Sequence, residues 1–160
     1  MFQVMTKSAT QTQELAAELA RILPMGSVIV LEGNLGSGKT TFTQGLGKAL
    51  GVQRAIKSPT YTIVKEYSIP QGDFIHIDAY RLEEGGADSI DLPSYLRHDA
   101  IVMIEWAVYV ADYLPSDYLI VRFTPGVTSD ERAIEFDAVG NSSSRLLTDF
   151  AQKWSACHGS

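Results

Sequence analysis

At 160 residues, 45% of them hydrophobic, the chain is long enough for one domain with its own core, and no apolar run approaches the ~20 residues of a membrane-spanning helix. A net charge of −6 argues against a surface that grips nucleic acid by charge alone. The lone Cys157 cannot form an internal disulfide, and the start, Met1-Phe2-Gln3-Val4-Met5-Thr6-Lys7, lacks the basic residues and long apolar stretch of a signal peptide. Both point to a protein of the reducing cytoplasm with no membrane partner.

The first predicted element is a helix. Ser8 and Thr10 compete as its N-cap, each followed three residues later by Gln, and Leu15, Leu19, Ile22 and Leu23 form an apolar stripe that stops at Pro24. Val28 to Glu32 is a short β-branched run, as a buried strand would be. A glycine-rich stretch follows, and Thr41 to Leu50 then reads as a helix, with Phe42, Leu46, Ala49 and Leu50 at helical spacing and Gly51 as a stop.

Lys57-Ser58-Pro59-Thr60 is an extended loop, because the residue before proline avoids helix. Tyr61 to Tyr67 alternates as a strand, Pro70-Gln71-Gly72-Asp73 marks a turn, and Phe74 to Asp78 forms a second strand, so the two make an antiparallel hairpin. Leu82 to His98 is an acidic loop with at most short helices. Ala100 to Glu105, continuously apolar from Ile101 to Ile104, predicts a central parallel strand buried on both faces. Tyr109 to Leu114 is a short helix before Pro115. Tyr118 to Phe123 and Ala133 to Val139 are two more strands, Gly140 to Ser143 punctuates, and a final helix carries Leu146, Leu147, Phe150 and Trp154. Together these predict an α/β fold: a P-loop NTPase-like, mostly parallel central sheet with flanking helices and an antiparallel hairpin portion, in one domain spanning residues 1–160.

Charge is segregated along this order. From Gly33 to Lys65 every full charge is positive, whereas from Glu83 to Asp99 the balance reverses, with Glu83, Glu84, Asp88, Asp91 and Asp99 against Arg97 alone. This is either a divided solvated surface or a basic phosphate-side face beside an acidic face for a protein partner.

The chemistry centres on Gly33-Asn34-Leu35-Gly36-Ser37-Gly38-Lys39-Thr40, which fits G-x-x-x-x-G-K-[ST] with a strand before it and a helix after it. Glycines let the backbone curl with its N–H groups inward, and the helix adds its positive dipole end. Lys39 can reach the β- and γ-phosphates of a nucleotide, and the Thr40 hydroxyl can ligate Mg²⁺. Acids are needed opposite such a loop, and Asp78 and Glu105 sit at the carboxyl ends of predicted strands, where open α/β sheets place functional groups. His76 shares a strand face with Asp78 and either orients it or is a satisfied core histidine. Arg81 either supplies transition-state charge or pairs with an acid. Trp106 is a core or interface aromatic or stacks near the nucleotide. Thr60 lies where switch segments sense a γ-phosphate, or is a plain turn residue.

Four motifs in this order, Gly33 to Thr41, Ser58-Pro59-Thr60-Tyr61, His76-Ile77-Asp78-Ala79-Tyr80-Arg81 and Glu105-Trp106, closely resemble the TsaE family, from about Ser8 to Ala138. The resemblance implies a small bacterial P-loop ATPase of tRNA threonylcarbamoyladenosine biosynthesis. It would act with threonylcarbamoyl-transferase partners of the TsaD and TsaB type on adenosine 37 of tRNAs reading ANN codons, meeting tRNA only through that complex. It further implies that ATP or ADP lies against Asn34, Leu35, Gly36, Ser37, Gly38, Lys39, Thr40 and Thr41, with Thr12 and Arg132 near the adenine end. Thr40 and Glu105 would hold Mg²⁺, and Asp78 would serve hydrolysis. Ala79 stands in a variable slot, and Leu82 to Arg97 follows the family pattern only weakly. The residues agree on the nucleotide: no Asn-Lys-x-Asp segment is present to read guanine, which favours ATP. They leave open a small-molecule P-loop kinase, and a nucleotide-gated binding subunit without catalysis.

Overall fold

A computed structural model of the chain describes residues 2–33, 38–53, 56, 64–79, 91–125 and 131–158. Strand β1 (Phe2–Thr6) opens the chain and is absent from the sequence reading. It alternates, burying Val4 and Thr6 while Gln3 and Met5 face out, but a five-residue run with two apolar positions inward is a weak strand signal. Its stability comes from antiparallel pairing with β7 (Arg132–Val139), from Phe2 opposite Phe136 to Thr6 opposite Arg132.

Helix α1 (Ala9–Ile22) resolves the competition between caps in favour of Ser8, whose hydroxyl accepts the Gln11 amide at 3.1 Å. Gln11 in turn accepts from the Lys7 amide at 2.7 Å, so the two side chains fix the entry of the chain into the helix. Leu23 leaves the helix in an extended conformation ahead of Pro24.

Seven strands form one sheet in the order β1-β7-β6-β2-β5-β4-β3. Its centre is parallel: β2 (Val28–Glu32) lies between β6 (Tyr118–Pro125) and β5 (Ala100–Glu105), and β5 lies against β4 (Gly72–Asp78). Both flanks are antiparallel, β3 (Val64–Ile69) with β4 in the expected hairpin and β6 with β7 and β1. Every residue of β5 is buried, as a run apolar on both faces requires.

Alternation divides the core. Ile29, Leu31, Phe74, Ile101 and Met103 face the layer of α1, α2 (Lys39–Leu50) and α4 (Asn141–His158). Val28, Val30, Ile75, Ile77, Val102 and Ile104 face the opposite side, with Leu92 of the short α3 (Leu92–Tyr95) and Ala107 and Val110 of a 3-10 segment, Ala107–Tyr113. Phe42 and Leu46 anchor α2 as predicted, whereas Ala49 faces solvent. What the apolar spacing misses is the inner face made by glycine: a Cβ on Gly45 would stand 2.7 Å from Gln13 Cα, so α1 and α2 approach to backbone contact there.

Several boundaries shift. α2 starts two residues early, at Lys39, and ends as predicted at Gly51, whose φ of 109° forms the left-handed cap. The described part of the first hairpin strand runs to Ile69, and Gly72 and Asp73 belong to β4 rather than to the turn. The predicted helix 109–114 is the 3-10 segment, which starts at Ala107. α4 begins at Asn141, inside the predicted punctuation. Its cap comes from far away: the Asp117 carboxylate accepts the Ser142 and Ser143 amides at 3.3 and 2.7 Å. Local pattern cannot reveal a cap borrowed across 26 residues.

A hydrogen bond from the Ser143 side chain, together with those two amides, holds the Asp117 carboxyl below its ordinary range. A depressed folded-state value means stabilisation that is complete above the unfolded pKa of about 3.9 and lost as pH falls through the folded one. Asp117→Ala is therefore expected to melt below wild type at neutral pH, with the gap closing on acidification; circular dichroism melts across pH check this.

Candidate functional site

The parallel centre of the sheet carries its ionisable groups at its carboxyl end, next to the first turn of α2. Alternation along β5 puts Glu105 on the same side as Ile101 and Met103, toward α2. Alternation along β4 puts His76 and Asp78 on that side with Phe74, and Asp78 is the direct register partner of Glu105. Lys39 opens α2, where the unpaired N–H groups and the dipole make a basic end.

These elements bring three side chains into contact. The Lys39 ammonium lies 3.1 Å from Glu105 Oε1, and His76 Nε2 lies 2.6 Å from Glu105 Oε2. All three are buried: Lys39 is 9% exposed, Glu105 8% and His76 1%. Burial pushes the Glu105 carboxyl up, but the His76 hydrogen bond and charge, together with Lys39, outweigh it and hold the group below its ordinary range. Glu105 is therefore an anion, an acceptor only, and Nε2 carries the proton it donates.

The Lys39 ammonium also stands 5.3 Å from the centre of the Trp106 ring, within cation–π range. Trp106 has φ of 59° and ψ of 43°, the only non-glycine residue with positive φ among those described. Such a backbone costs on the order of 1–3 kcal/mol and is held by its surroundings. Here the ring stacks on Tyr109 while Ala107 and Val110 are buried behind it. Leu31, Glu32, Gly33, Lys39, Trp106, Ala107 and Val108 line a cavity of about 220 Å³ that opens beside the ammonium. A larger cleft of about 580 Å³ runs between the end of α2 and β3, but no cation stands among its described lining residues.

Thr40 is exposed on the first turn of α2 and Thr41 half-buried beside it. Gly38 has φ of +106° and supports the Arg132 side chain, whose Nε would lie 3.3 Å from any Cβ added there. Arg132 thus lies across the start of α2, while Thr6, its register partner, bonds the Thr12 hydroxyl at 2.7 Å. Thr12 is 2% exposed, so its hydroxyl is engaged inside the fold rather than displayed. Asn34, Leu35, Gly36 and Ser37 of the phosphate motif, Thr60 and its motif Ser58 to Tyr61, and Tyr80 and Arg81 lie outside the described residues.

The sequence leaves His76 either orienting Asp78, with which it does share a strand face, or satisfied as a core histidine. Instead His76 reaches across to Glu105 on the neighbouring strand, a diagonal contact visible only once the β4–β5 register, His76 opposite Met103, is known. No sequence signal marks the Trp106 backbone.

The donor set suits a hard cation shared with a ligand. One buried carboxylate and one nearby hydroxyl are oxygen donors, and no group of three or more His, Cys, Asp or Glu that could hold a metal occurs among the described residues. Mg²⁺ is bound in this fashion, by one or two protein oxygens with phosphates and waters completing the octahedron.

Comparisons with known proteins agree with this geometry. A family model described as Threonylcarbamoyl adenosine biosynthesis protein TsaE matches residues 6–134. The chain is 38% identical over 148 residues to the tRNA threonylcarbamoyladenosine biosynthesis protein TsaE of Bacillus subtilis, covering 92% of each chain. It is 39% identical over 137 residues to the protein of that name from Nostoc, covering 83% of this chain and 84% of the other. The crystal structure of Bacillus subtilis YdiB superposes with a TM-score of 0.82 at 32% identity, over 94% of both chains.

Proposed function

We propose a function from one premise: the chain belongs to the TsaE family of threonylcarbamoyl adenosine biosynthesis proteins. It is a single-domain cytoplasmic protein that binds ATP and hydrolyses it with Mg²⁺. It does so within the machinery that makes N6-threonylcarbamoyladenosine at position 37 of tRNAs reading ANN codons. Its partners are transferase proteins of the TsaD and TsaB type, and tRNA is met through them; no helix among the described residues is long and apolar enough to cross a membrane.

The observation that carries this reading is the buried Lys39–Glu105 pair at the start of α2, 3.1 Å apart. Burying an ion pair is poor economy for stability alone. It places on one spot the cation that phosphates need and the anion that a divalent metal needs. Lys39 and the motif amides take the terminal phosphates. Glu105 and Thr40 supply oxygens to Mg²⁺, which when bound neutralises charge on the β- and γ-phosphate oxygens. Asp78, beside Glu105 at the strand end, orients the attacking water, and Thr60 senses the γ-phosphate. Thr12 and Arg132 stand on the adenine side.

Calorimetry with ADP and Mg²⁺ tests the binding, and phosphate release from ATP, alone and with the partner proteins, tests the turnover. The expected result is a saturable binding heat and slow release that accelerates on assembly. No heat at millimolar nucleotide overturns the reading, and ATP consumption only on adding a small acceptor would favour a kinase.

A further inference from the structure

Glu105 has two oxygens and two partners of different kinds. Oε1 faces Lys39, which on the proposed function turns to phosphate when nucleotide arrives; Oε2 faces His76, which lies on a strand between two fully buried isoleucines, Ile75 and Ile77. One contact is therefore exchanged on binding and the other stays. Without it, a buried carboxylate on a side chain with three rotatable bonds would keep no fixed direction.

His76 carries a second mark. With Nε2 donating to Glu105, Nδ1 is left buried, and it has no hydrogen-bond partner among the described residues. A core histidine kept for packing normally satisfies both nitrogens, and leaving one unmet is costly. The fold accepts that cost in order to aim the other nitrogen at Glu105.

We infer that His76 is the positioning residue of Glu105: it grips Oε2 so that Oε1, released by Lys39, is presented to Mg²⁺ in a single direction. This deepens the proposed function and rests on Glu105 being a metal ligand. Groups that hydrogen-bond a ligating side chain characteristically tune metal affinity without touching the metal.

The test uses the whole chain, with ADP binding followed by calorimetry in chelator and across a Mg²⁺ titration. His76→Phe and His76→Met remove the donor, the flexible Met covering the case in which Phe does not fold; His76→Gln retains an N–H. In both apolar variants, ADP affinity in chelator is expected to stay within about twofold of wild type, while the Mg²⁺ midpoint rises about tenfold or more. His76→Gln recovers most of that loss. In a Glu105→Gln background, His76→Phe adds no further change, because the two act as one unit. An unchanged midpoint in the folded apolar variants overturns the role of His76, and so does an equal loss of affinity with and without metal, which marks a purely structural residue. Wild-type binding indifferent to Mg²⁺ instead overturns the metal reading of Glu105, and this inference with it.

Discussion

Lys39→Ala is expected to lower phosphate release by about 10²–10³-fold, the usual cost of deleting one preorganised charge from a transition state. It should also weaken ADP by at least about tenfold in calorimetry, with or without Mg²⁺, because the ammonium already meets phosphate in the ground state, though less strongly than in the transition state. The ammonium is not a loose surface group that solvent can replace: it is 9% exposed, lies 3.1 Å from Glu105 and faces the Trp106 ring at 5.3 Å. Deleting it strands a buried carboxylate on one oxygen only. The stability cost should fall short of the ~3–5 kcal/mol of an uncompensated buried charge, since His76 still holds Oε2. A denaturant melt run beside the calorimetry separates the two losses: a folded Lys39→Ala with wild-type ADP affinity would refute the assignment. Lys39→Arg should not rescue, because a planar fork cannot replace a compact point charge in this space.

Much of this was legible in the sequence, and the exceptions share a cause. The phosphate motif, the strand before it, the buried β5 and the β3–β4 hairpin all follow from local spacing, where period and turn chemistry suffice. So does the placement of Asp78 and Glu105 at strand ends. What was missed depends on partners distant in the chain. β1 exists because β7 offers it an edge, and α4 starts where it does because Asp117 reaches its first amides. The glycine face of α2 has no apolar signature, since what it buries is the approach of another backbone. At the site, the sequence placed His76 next to Asp78 by counting along one strand. The decisive contact runs across two strands, and a register cannot be counted from one of them.

Glu105→Gln should differ from Lys39→Ala in kind. Phosphate release falls by a comparable ~10²–10³-fold, but ADP affinity in chelator is retained or increased, because Lys39 no longer has a carboxylate competing for it. What disappears is the gain in affinity on adding Mg²⁺. The amide that replaces the carboxylate offers an oxygen to one neighbour only: with it turned to Lys39, the NH₂ faces His76 and is met only if the imidazole moves its proton to Nδ1, and in the reverse orientation the NH₂ meets the Lys39 ammonium, donor against donor. Stability carries the same signature. The Glu105 carboxyl is depressed in the fold, so its contribution is complete above the unfolded value of about 4.3 and lost as pH falls through the folded one. Glu105→Gln should therefore melt below wild type at neutral pH and converge with it in acid, once the carboxylate it lacks has been protonated in the wild type as well. If Mg²⁺ still tightens ADP in a folded Glu105→Gln, the metal is held elsewhere, and the buried pair at the start of α2 would have to be explained as architecture.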